Sequence, residues 1–529
     1  MNNDITWKNF IDILDNLGEI KEHVMGDEPN MLIKHLTYNS QEAKEGTFFV
    51  CKGAYFKKEY LEDAIKKGAT CYASEIDYAK DDENLKKVPH VIVKDIRNCM
   101  PHMARAFYKF PEDTLTKIAI TGTSGKTTTA YCVKGIYDAY LKANGKNPMG
   151  MFSSVEIDDG KSVELSPNQT TPEAFELYRR FLNVYESKRE YVVMEVSSQA
   201  LKVGRTTGIA FDTAIFTNIS NDHVSSVEHP TYEDYLETKL KIFKQTKNAV
   251  INIGSDEINK ILDAASSCEK IVTFAATKEL EKTISAKPQC TLNENNEDLS
   301  KADYKLLRVD ENPEGLIYTI EGPNFKEDFT MPMYGLFNAM NALAAVAFCH
   351  SKGIDVKYIK EGLANVSVPG HMQKYESPDK KIIAFVDFAH NGISFESVFK
   401  SIKRIFPERK ITCVFGSTGK KAVNRRLDMG KVAGAYCDMS YLTMDSPDDE
   451  KVVDIANDIA KGVSEHGGKY TIIEDRIEAI RKAVVDVEEP TVLCILGRGA
   501  EEAQIVNHEH VSYISDGEVI KNIFKEIYK

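Results

Sequence analysis

Residues Lys117 to Ala130 read KIAITGTSGKTTTA, and no other stretch restricts the fold as much. A short β-rich apolar run ends in Gly122 and Gly125. Lys126 and three threonines then open a Pro-free segment, Thr127 to Leu141, with Ala, Val, Ile and Leu at helical spacing. Strand, glycine turn and helix in that order belong to an α/β layer. Glycines let the backbone curl until its N–H groups converge on phosphate oxygens, while Lys126 supplies a point charge and Thr127 a hydroxyl for Mg²⁺. The phosphates of a nucleoside triphosphate would then sit at a helix N-terminus. The spacing departs from the common pattern, because Ile120 rather than glycine stands five before Gly125.

At 529 residues the chain is too long for one core, and ordinary domain sizes predict roughly three. The formal charge of -13 argues against a nucleic-acid partner, so any anionic substrate must be held by locally placed Lys and Arg. Ten cysteines show no paired spacing, which suggests neither zinc nor disulfides but reduced thiols of a cytoplasmic protein. Trp7, Phe10, Ile11, Leu14 and Leu17 share one helical face, as in an amphipathic surface helix and unlike a signal peptide. No apolar run approaches the ~20 residues of a membrane span. A monomer is expected.

The fold class expected is α/β with three domains. Residues 1–112 alternate strand-like runs, Thr47 to Val50 and His90 to Val93, with a helical one, Glu59 to Lys67. Within them Ser40, Gly46 and Lys52-Gly53 read either as a nucleotide-sugar platform or as an ordinary turn and strand. Residues 113–355 hold the glycine loop and the continuously apolar runs Tyr191 to Val196, Phe211 to Ile219 and Ala249 to Ile253, which predict a mostly parallel sheet covered on both faces. Short alternating runs over 276–330 suggest an antiparallel appendage, and 334–354 a closing helix. Residues 356–529 form a Rossmann-like unit with strands at Ile382 to Asp387, Ile411 to Phe415, Met439 to Met444 and Thr491 to Leu496. Ligands of such sheets bind beyond the strand carboxyl ends, where His390, Gly416, Asp445 and Gly497 fall.

Glu195 ends an apolar strand that follows the loop and helix, so it can reach Mg²⁺ directly or through water. Alone it reads more often as a solvated strand end, and only the glycine loop reverses that balance. Taken singly, His223 reads as a hydrogen-bonded loop histidine and Lys239 as a surface charge.

Taken together, the motifs resemble those of the Mur ligases, ATP-dependent amide-forming enzymes of peptidoglycan synthesis, and most of all their UDP-N-acetylmuramoyl-tripeptide synthetase branch. TGTSGKTTT resembles TGTNGKTT, MEVSSQAL resembles EVSSHAL, and TNISNDH resembles TNLTxDH. VPGHMQ is similar to LPGRME, VDFAH to VDYAH, LGRGAEE to GKGHE, and FGSTGKKAVNRRLDMG to FGCGGDRDxGKRPxMG. The resemblance spans nearly the whole chain. It implies an N-terminal UDP-binding domain, a central P-loop ATPase domain and a C-terminal amino-acid-binding domain.

On these residues the resemblance implies that Gly122, Thr123, Ser124, Gly125, Lys126, Thr127 and Thr128 cradle the ATP phosphates. Asn338 and Asn341 would lie near the adenine, and Asp387 and His390 would approach the nucleotide. Thr127, Glu195, His223 and a carbamate on Lys239 would serve Mg²⁺. Ser40 would contact the uridine moiety, and Thr170, Thr171, Ser198 and Arg205 the muramoyl peptide. The expected substrates are UDP-N-acetylmuramoyl-dipeptide and a free amino acid, joined through an acyl phosphate. Gln199, His371, Phe388 and Ala500 replace the family's His, Arg, Tyr and His, which touches substrate contacts more than catalysis. In TMDSPDDE, Asp448 stands where enzymes that add diaminopimelate carry the arginine of DNPR. A carboxylate there repels the distal carboxylate of diaminopimelate and attracts an ammonium, so L-lysine or another basic amino acid is expected. Arg426 would take the α-carboxylate, with Asp445, Asp448, Gly497 and Glu501 around the rest. Alternatively DSPDDE is a solvated helix-capping turn. Folylpolyglutamate- or cyanophycin-type ligases, or a non-catalytic precursor-binding paralogue, are the competing functions.

Overall fold

The computed structural model describes residues 5–53, 56–166, 169–220, 229–277, 280, 301–420 and 423–528. The chain groups into two compact units, residues 1–130 with 140–272, and residues 131–139 with 273–529.

The first unit contains two sheets. The smaller runs Ile20–Val24, His90–Val93, Ala69–Ser74, Thr47–Val50, His35–Thr37 in spatial order, parallel except for its first pair. The amphipathic helix Trp7–Asn16 starts at a capping box between Thr6 and Asn9. Trp7, Phe10, Ile11 and Leu14 of its apolar face are buried and Leu17 half-buried, with Trp7 and Phe10 edge-on to Phe48 at 5.2 and 5.0 Å. The larger sheet of this unit runs Val163–Leu165, Glu156–Asp158, Gly150–Phe152, Tyr191–Glu195, Thr116–Thr121, Phe211–Phe216, Thr246–Asn252. Its last five strands are parallel. Ile118, Ala119, Ile120, Val192, Val193, Met194, Ala214 and Ile215 have no exposed surface, which explains runs without alternation. The run expected to Ile219 leaves the ladder after Phe216, because Thr217 and Asn218 turn to serve the glycine loop.

In the second unit the expected antiparallel appendage is the meander Tyr304–Asn312, Gly315–Gly322, Phe325–Met331. The part of that expectation over 278–279 and 281–300 lies outside the described residues. The closing helix is Asn338–Ser351, buried around almost its whole circumference. The C-terminal sheet runs Gln373–Glu376, Ile382–Asp387, Thr491–Leu496, Lys410–Phe415, Met439–Leu442, Tyr470–Ile472, parallel except for its first pair. Phe395, Phe399, Met429 and Ile459 cover one face, and Ile480, Val484, Val519 and Ile523 the other. Helices Asn424–Tyr436 and Val452–Glu465 touch backbone to backbone: a Cβ on Gly430 would lie 2.1 Å from Ile459 O, and one on Gly462 2.4 Å from Leu427 O. Nine cysteines are described; all are free, and all but Cys268 are buried.

Candidate active site

Thr116–Thr121 is flanked by Tyr191–Glu195 and Phe211–Phe216, with Ile120 paired to Glu195 on one side and Ile215 on the other. Three parallel strands therefore deliver Gly122, Glu195 and Thr217 to one edge of the sheet. Gly122 has φ 150°, and a Cβ there would lie 2.0 Å from Thr217 Oγ1, so only glycine fits. Gly125, with φ 83°, turns the chain into the helix Lys126–Ala143. Neither the Thr123 nor the Ser124 N–H points outward to a ligand. They donate to Asn218 O and Asn218 Oδ1 at 3.0 and 2.9 Å, and Thr217 Oγ1 donates to Ser124 O at 2.7 Å. The loop is thus buttressed from behind, and the first-turn N–H groups of the helix carry the dipole's positive end.

Two lysines meet at this loop. Lys126 Nζ donates to Gly122 O and Thr123 O at 3.0 and 3.1 Å, and Lys239 Nζ donates to Gly122 O at 2.9 Å. Lys239, 2% exposed, also lies 4.8 Å from the Tyr235 ring centroid, and Tyr235 OH is 2.9 Å from Thr123 Oγ1. Glu195, also buried, accepts the N–H and O–H of Ser154 on Oε1 at 2.8 and 3.1 Å. Ser154 Oγ is in turn 2.9 Å from Thr127 Oγ1. Thr127, Ser154 and Glu195 form a string of hard oxygen donors at the phosphate end of the helix, a donor set that fits Mg²⁺. Ser154 was not singled out in the sequence; a serine pair after a short strand is a weak signal. His223 lies outside the described residues.

Thr171 is fully buried, donates to Glu195 O at 3.0 Å and accepts Ser197 N–H at 3.0 Å, while Arg205 Nη1 donates to Thr171 O at 2.9 Å. Thr170 adjoins it, and the buried Ser198 opens the short helix Ser198–Lys202. Glu173 bridges Arg205 at 2.7 Å and Lys52 at 2.6 Å, and Lys52 Nζ stands 4.2 Å from the Tyr38 ring centroid. Burial pushes the Glu173 carboxyl up, but Lys52 and Arg205 outweigh it and hold the group below its usual range. This bridge joins the end of Thr47–Val50 to the threonine segment; neither Glu173 nor the pairing was foreseen. Ser40 is buried in the turn Ser40–Glu42, where Lys67 Nζ donates to its carbonyl at 3.2 Å.

In the second unit Asn338 Nδ2 donates to Tyr334 O at 2.7 Å, and Asn341 Nδ2 to Asn338 Oδ1 at 2.9 Å. Asp387 accepts the N–H groups of Met372 and Ala389, both at 2.7 Å, and His390 Nδ1 is 2.8 Å from Phe388 O on the surface. Arg426, 1% exposed, is closed on both Glu450 oxygens at 2.6 and 2.7 Å and reaches Asp458 at 3.2 Å. A substrate carboxylate would have to displace Glu450 to use it. Asp448 Oδ1 accepts the His508 N–H and lies 2.8 Å from His508 Nδ1, so this carboxylate faces a hairpin tip.

Asp445, Gly497 and Glu501 do come together, around a residue the sequence did not single out. Arg498 is fully buried; its Nη1 lies 3.3 Å from Asp445 Oδ1, and its Nη2 3.6 Å from Glu501 Oε2. A Cβ on Gly497 would lie 2.8 Å from Asp445 Oδ2, so a bare backbone lets that carboxylate approach. Burial pushes the Glu501 carboxyl up to about 7 against the pull of Arg498.

The Mur ligase middle domain matches residues 120–349, and the Mur ligase glutamate ligase domain residues 371–499. The chain is 32% identical to a UDP-N-acetylmuramyl-tripeptide synthetase of Lactobacillus acidophilus, over 96% of this chain and 95% of that one. It is equally 32% identical to a UDP-N-acetylmuramoyl-L-alanyl-D-glutamate–L-lysine ligase of Streptococcus thermophilus, over 97% and 96% of the two chains. A third relative, 32% identical over 98% and 100%, is the corresponding 2,6-diaminopimelate ligase of Caldanaerobacter subterraneus. A solved structure of a UDP-N-acetylmuramoyl-L-alanyl-D-glutamate–2,6-diaminopimelate ligase superposes with a TM-score of 0.63 at 22% identity, covering 99% and 100% of the two chains. The chain belongs to the Mur ligase family and is an ATP-dependent amide-forming ligase of peptidoglycan synthesis.

Proposed function

We propose that this ligase adds a basic amino acid, L-lysine first among candidates, to UDP-N-acetylmuramoyl-L-alanyl-D-glutamate. The observation that carries the choice is the acidic surplus around Gly497, where Asp445 and Glu501 share the single guanidinium of Arg498. Diaminopimelate would bring a second carboxylate to that surplus, whereas lysine brings only an ammonium. Relatives carry both specificities in their names, so the family alone does not choose between them. Asp448, turned to His508, supports the reading through charge at the rim rather than through direct contact.

Residues 1–112, 113–355 and 356–529 are proposed as the UDP-binding, ATP-binding and amino-acid-binding domains. The matched segments fall inside the second and third. Ser40 is assigned to the uridine moiety, and Thr170, Thr171, Ser198 and Arg205 to the muramoyl peptide. Gly122 to Thr128 would cradle the triphosphate, with Asn338, Asn341, Asp387 and His390 assigned to the rest of the nucleotide. Mg²⁺ held by Thr127, Glu195, His223 and a carbamate on Lys239 would neutralise charge on the phosphates. A carbamate keeps one N–H, enough to maintain the bond to Gly122 O. The substrate's carboxylate oxygen attacks the γ-phosphorus and ADP leaves, with Lys126 placed to move from Gly122 O onto the phosphate. The amine then attacks the acyl carbon, phosphate departs, and the nitrogen loses a proton. The enzyme is proposed to act as a cytoplasmic monomer.

Phosphate release with the UDP-muramoyl dipeptide, ATP and lysine, ornithine or diaminopimelate, each in turn, tests the specificity. Lysine or ornithine is expected to win; a preference for diaminopimelate rejects the charge argument. Release only with a folate or another peptide acceptor would move the chain to a different branch.

A further inference from the structure

The helix Tyr232–Leu240 holds the glycine loop at two points one turn apart. Tyr235 and Lys239, four residues apart, lie on one face of it. The buried Tyr235 hydroxyl is hydrogen-bonded to Thr123 Oγ1 at 2.9 Å, and Lys239 Nζ donates to Gly122 O at 2.9 Å. Successive turns of one helix thus grip neighbouring residues of the loop. Lys239 Nζ also stands 4.8 Å from the Tyr235 ring centroid, so the ring helps to fix where the lysine lies. Thr123 Oγ1 accepts the Ser220 N–H as well, at 3.0 Å, which makes this hydroxyl a junction of three segments.

The start of the helix is tied by more than its cap. Thr231 Oγ1 accepts the Asp234 N–H at 3.1 Å, as an N-cap does. The Asp234 carboxylate then takes Lys202 Nζ at 2.8 Å and His229 Nδ1 at 2.7 Å. His229 is fully buried and stands edge-on to the Tyr235 ring, with centroids 5.2 Å apart. Its Nε2 is buried with no hydrogen-bond partner among the described residues. A leucine or phenylalanine would fill that space and orphan no nitrogen, so packing alone does not account for a histidine there. What the histidine adds is the Nδ1–H that binds Asp234.

We propose that Tyr235 is a positioning residue for phosphoryl transfer: backed by the His229–Asp234 pair, it keeps Thr123 and the Lys239 head group in register while Lys126 leaves the loop for the phosphate. This rests on the reading of Gly122 to Thr128 as the triphosphate cradle. In that movement Lys126 gives up Gly122 O and Thr123 O, its acceptors at 3.0 and 3.1 Å. Tyr235 and Lys239 hold the same two residues from the neighbouring helix. A cradle that shifts as the phosphoryl group transfers misaligns the reacting atoms, so losing the Tyr235 hydroxyl acts on turnover more than on ATP binding.

Steady-state phosphate release with ATP varied and the UDP-muramoyl dipeptide and preferred amino acid saturating tests the brace. The rate is taken per nucleotide-binding site, counted by titration calorimetry with ATP and Mg²⁺, so that unfolded protein does not mimic a loss of kcat. Tyr235→Phe keeps the ring and removes only the hydroxyl. It should lower kcat about tenfold while the KM for ATP stays within about threefold. Thr123→Val should lose at least as much, because its hydroxyl also serves Ser220, whereas Thr123→Ser should keep most of the wild-type rate. Tyr235→Phe should cause no further loss in the Thr123→Val background. His229→Phe keeps a ring against Tyr235 and drops the bond to Asp234, and should lower kcat about threefold. A wild-type kcat in Tyr235→Phe, an ATP KM that rises as far as kcat falls, or losses that multiply in the double variant overturns the proposal. Should Tyr235→Phe not fold, His229→Phe decides, and a wild-type kcat there overturns it. A Lys126→Ala variant that releases phosphate at the wild-type rate sinks the reading of the loop instead. A Lys126→Ala loss beside an undiminished Tyr235→Phe rate sinks the brace alone.

Discussion

Lys239 shares its acceptor, Gly122 O, with Lys126, so the site places two ammonium groups on one carbonyl oxygen. Removing Lys239 removes both that contact and the proposed metal ligand. Lys239→Ala is expected to lower kcat on the order of 100-fold or more, read by phosphate release, and added bicarbonate should not restore it. Buried charge gives a second expectation. Asp516 and Arg476 are 0% and 1% exposed, so Asp516→Asn should cost about 3–5 kcal/mol in denaturant unfolding of the C-terminal domain. A third concerns pH. Arg426 holds the Glu450 carboxyl down to about 2, below the usual carboxylate value. A depressed carboxylate contributes stability above its unfolded pKa and loses it as pH falls through the folded one. The gap in melting temperature between wild type and Glu450→Gln should therefore be full at pH 7 and shrink between about pH 4.5 and 2.

At the scale of elements, sequence pattern located what is local. The glycine loop, its helix and the strands Thr47–Val50, His90–Val93, Ile382–Asp387 and Thr491–Leu496 are legible because apolar runs and turn residues are adjacent in the chain. The three-residue strands Gly150–Phe152, Glu156–Asp158 and Val163–Leu165 are too short to carry a pattern. Pairings across distance were not legible either. Arg426 finds Glu450 24 residues on, Glu173 bridges Lys52 and Arg205 from different elements, and Arg498 meets Asp445 53 residues back. The glycines at 430 and 462 likewise look unremarkable until their helices are seen in contact. Gly462→Ala would set a methyl 2.4 Å from Leu427 O, and is expected to cost about 1–3 kcal/mol, measured as a lower urea midpoint with unchanged m-value.

For the whole molecule, ligand binding should register as stability. ATP with Mg²⁺ at about 100 times its Kd adds about 2.7 kcal/mol to a fold that binds it and an unfolded chain that does not. A rise in melting temperature with ATP and Mg²⁺ that EDTA largely reverses would match the Thr127–Ser154–Glu195 donor string. An EDTA-insensitive rise would argue that the helix N-terminus and lysines bind the phosphates unaided. The buried thiols offer one more use. Eight of the described cysteines are shut away from solvent, and burial pushes thiols such as Cys51, Cys71 and Cys494 far from their reactive, deprotonated form. A maleimide dye would therefore tag the half-buried Cys268 ahead of the other described thiols, which react only when a domain opens. The slow phase of labelling becomes a clock for that opening.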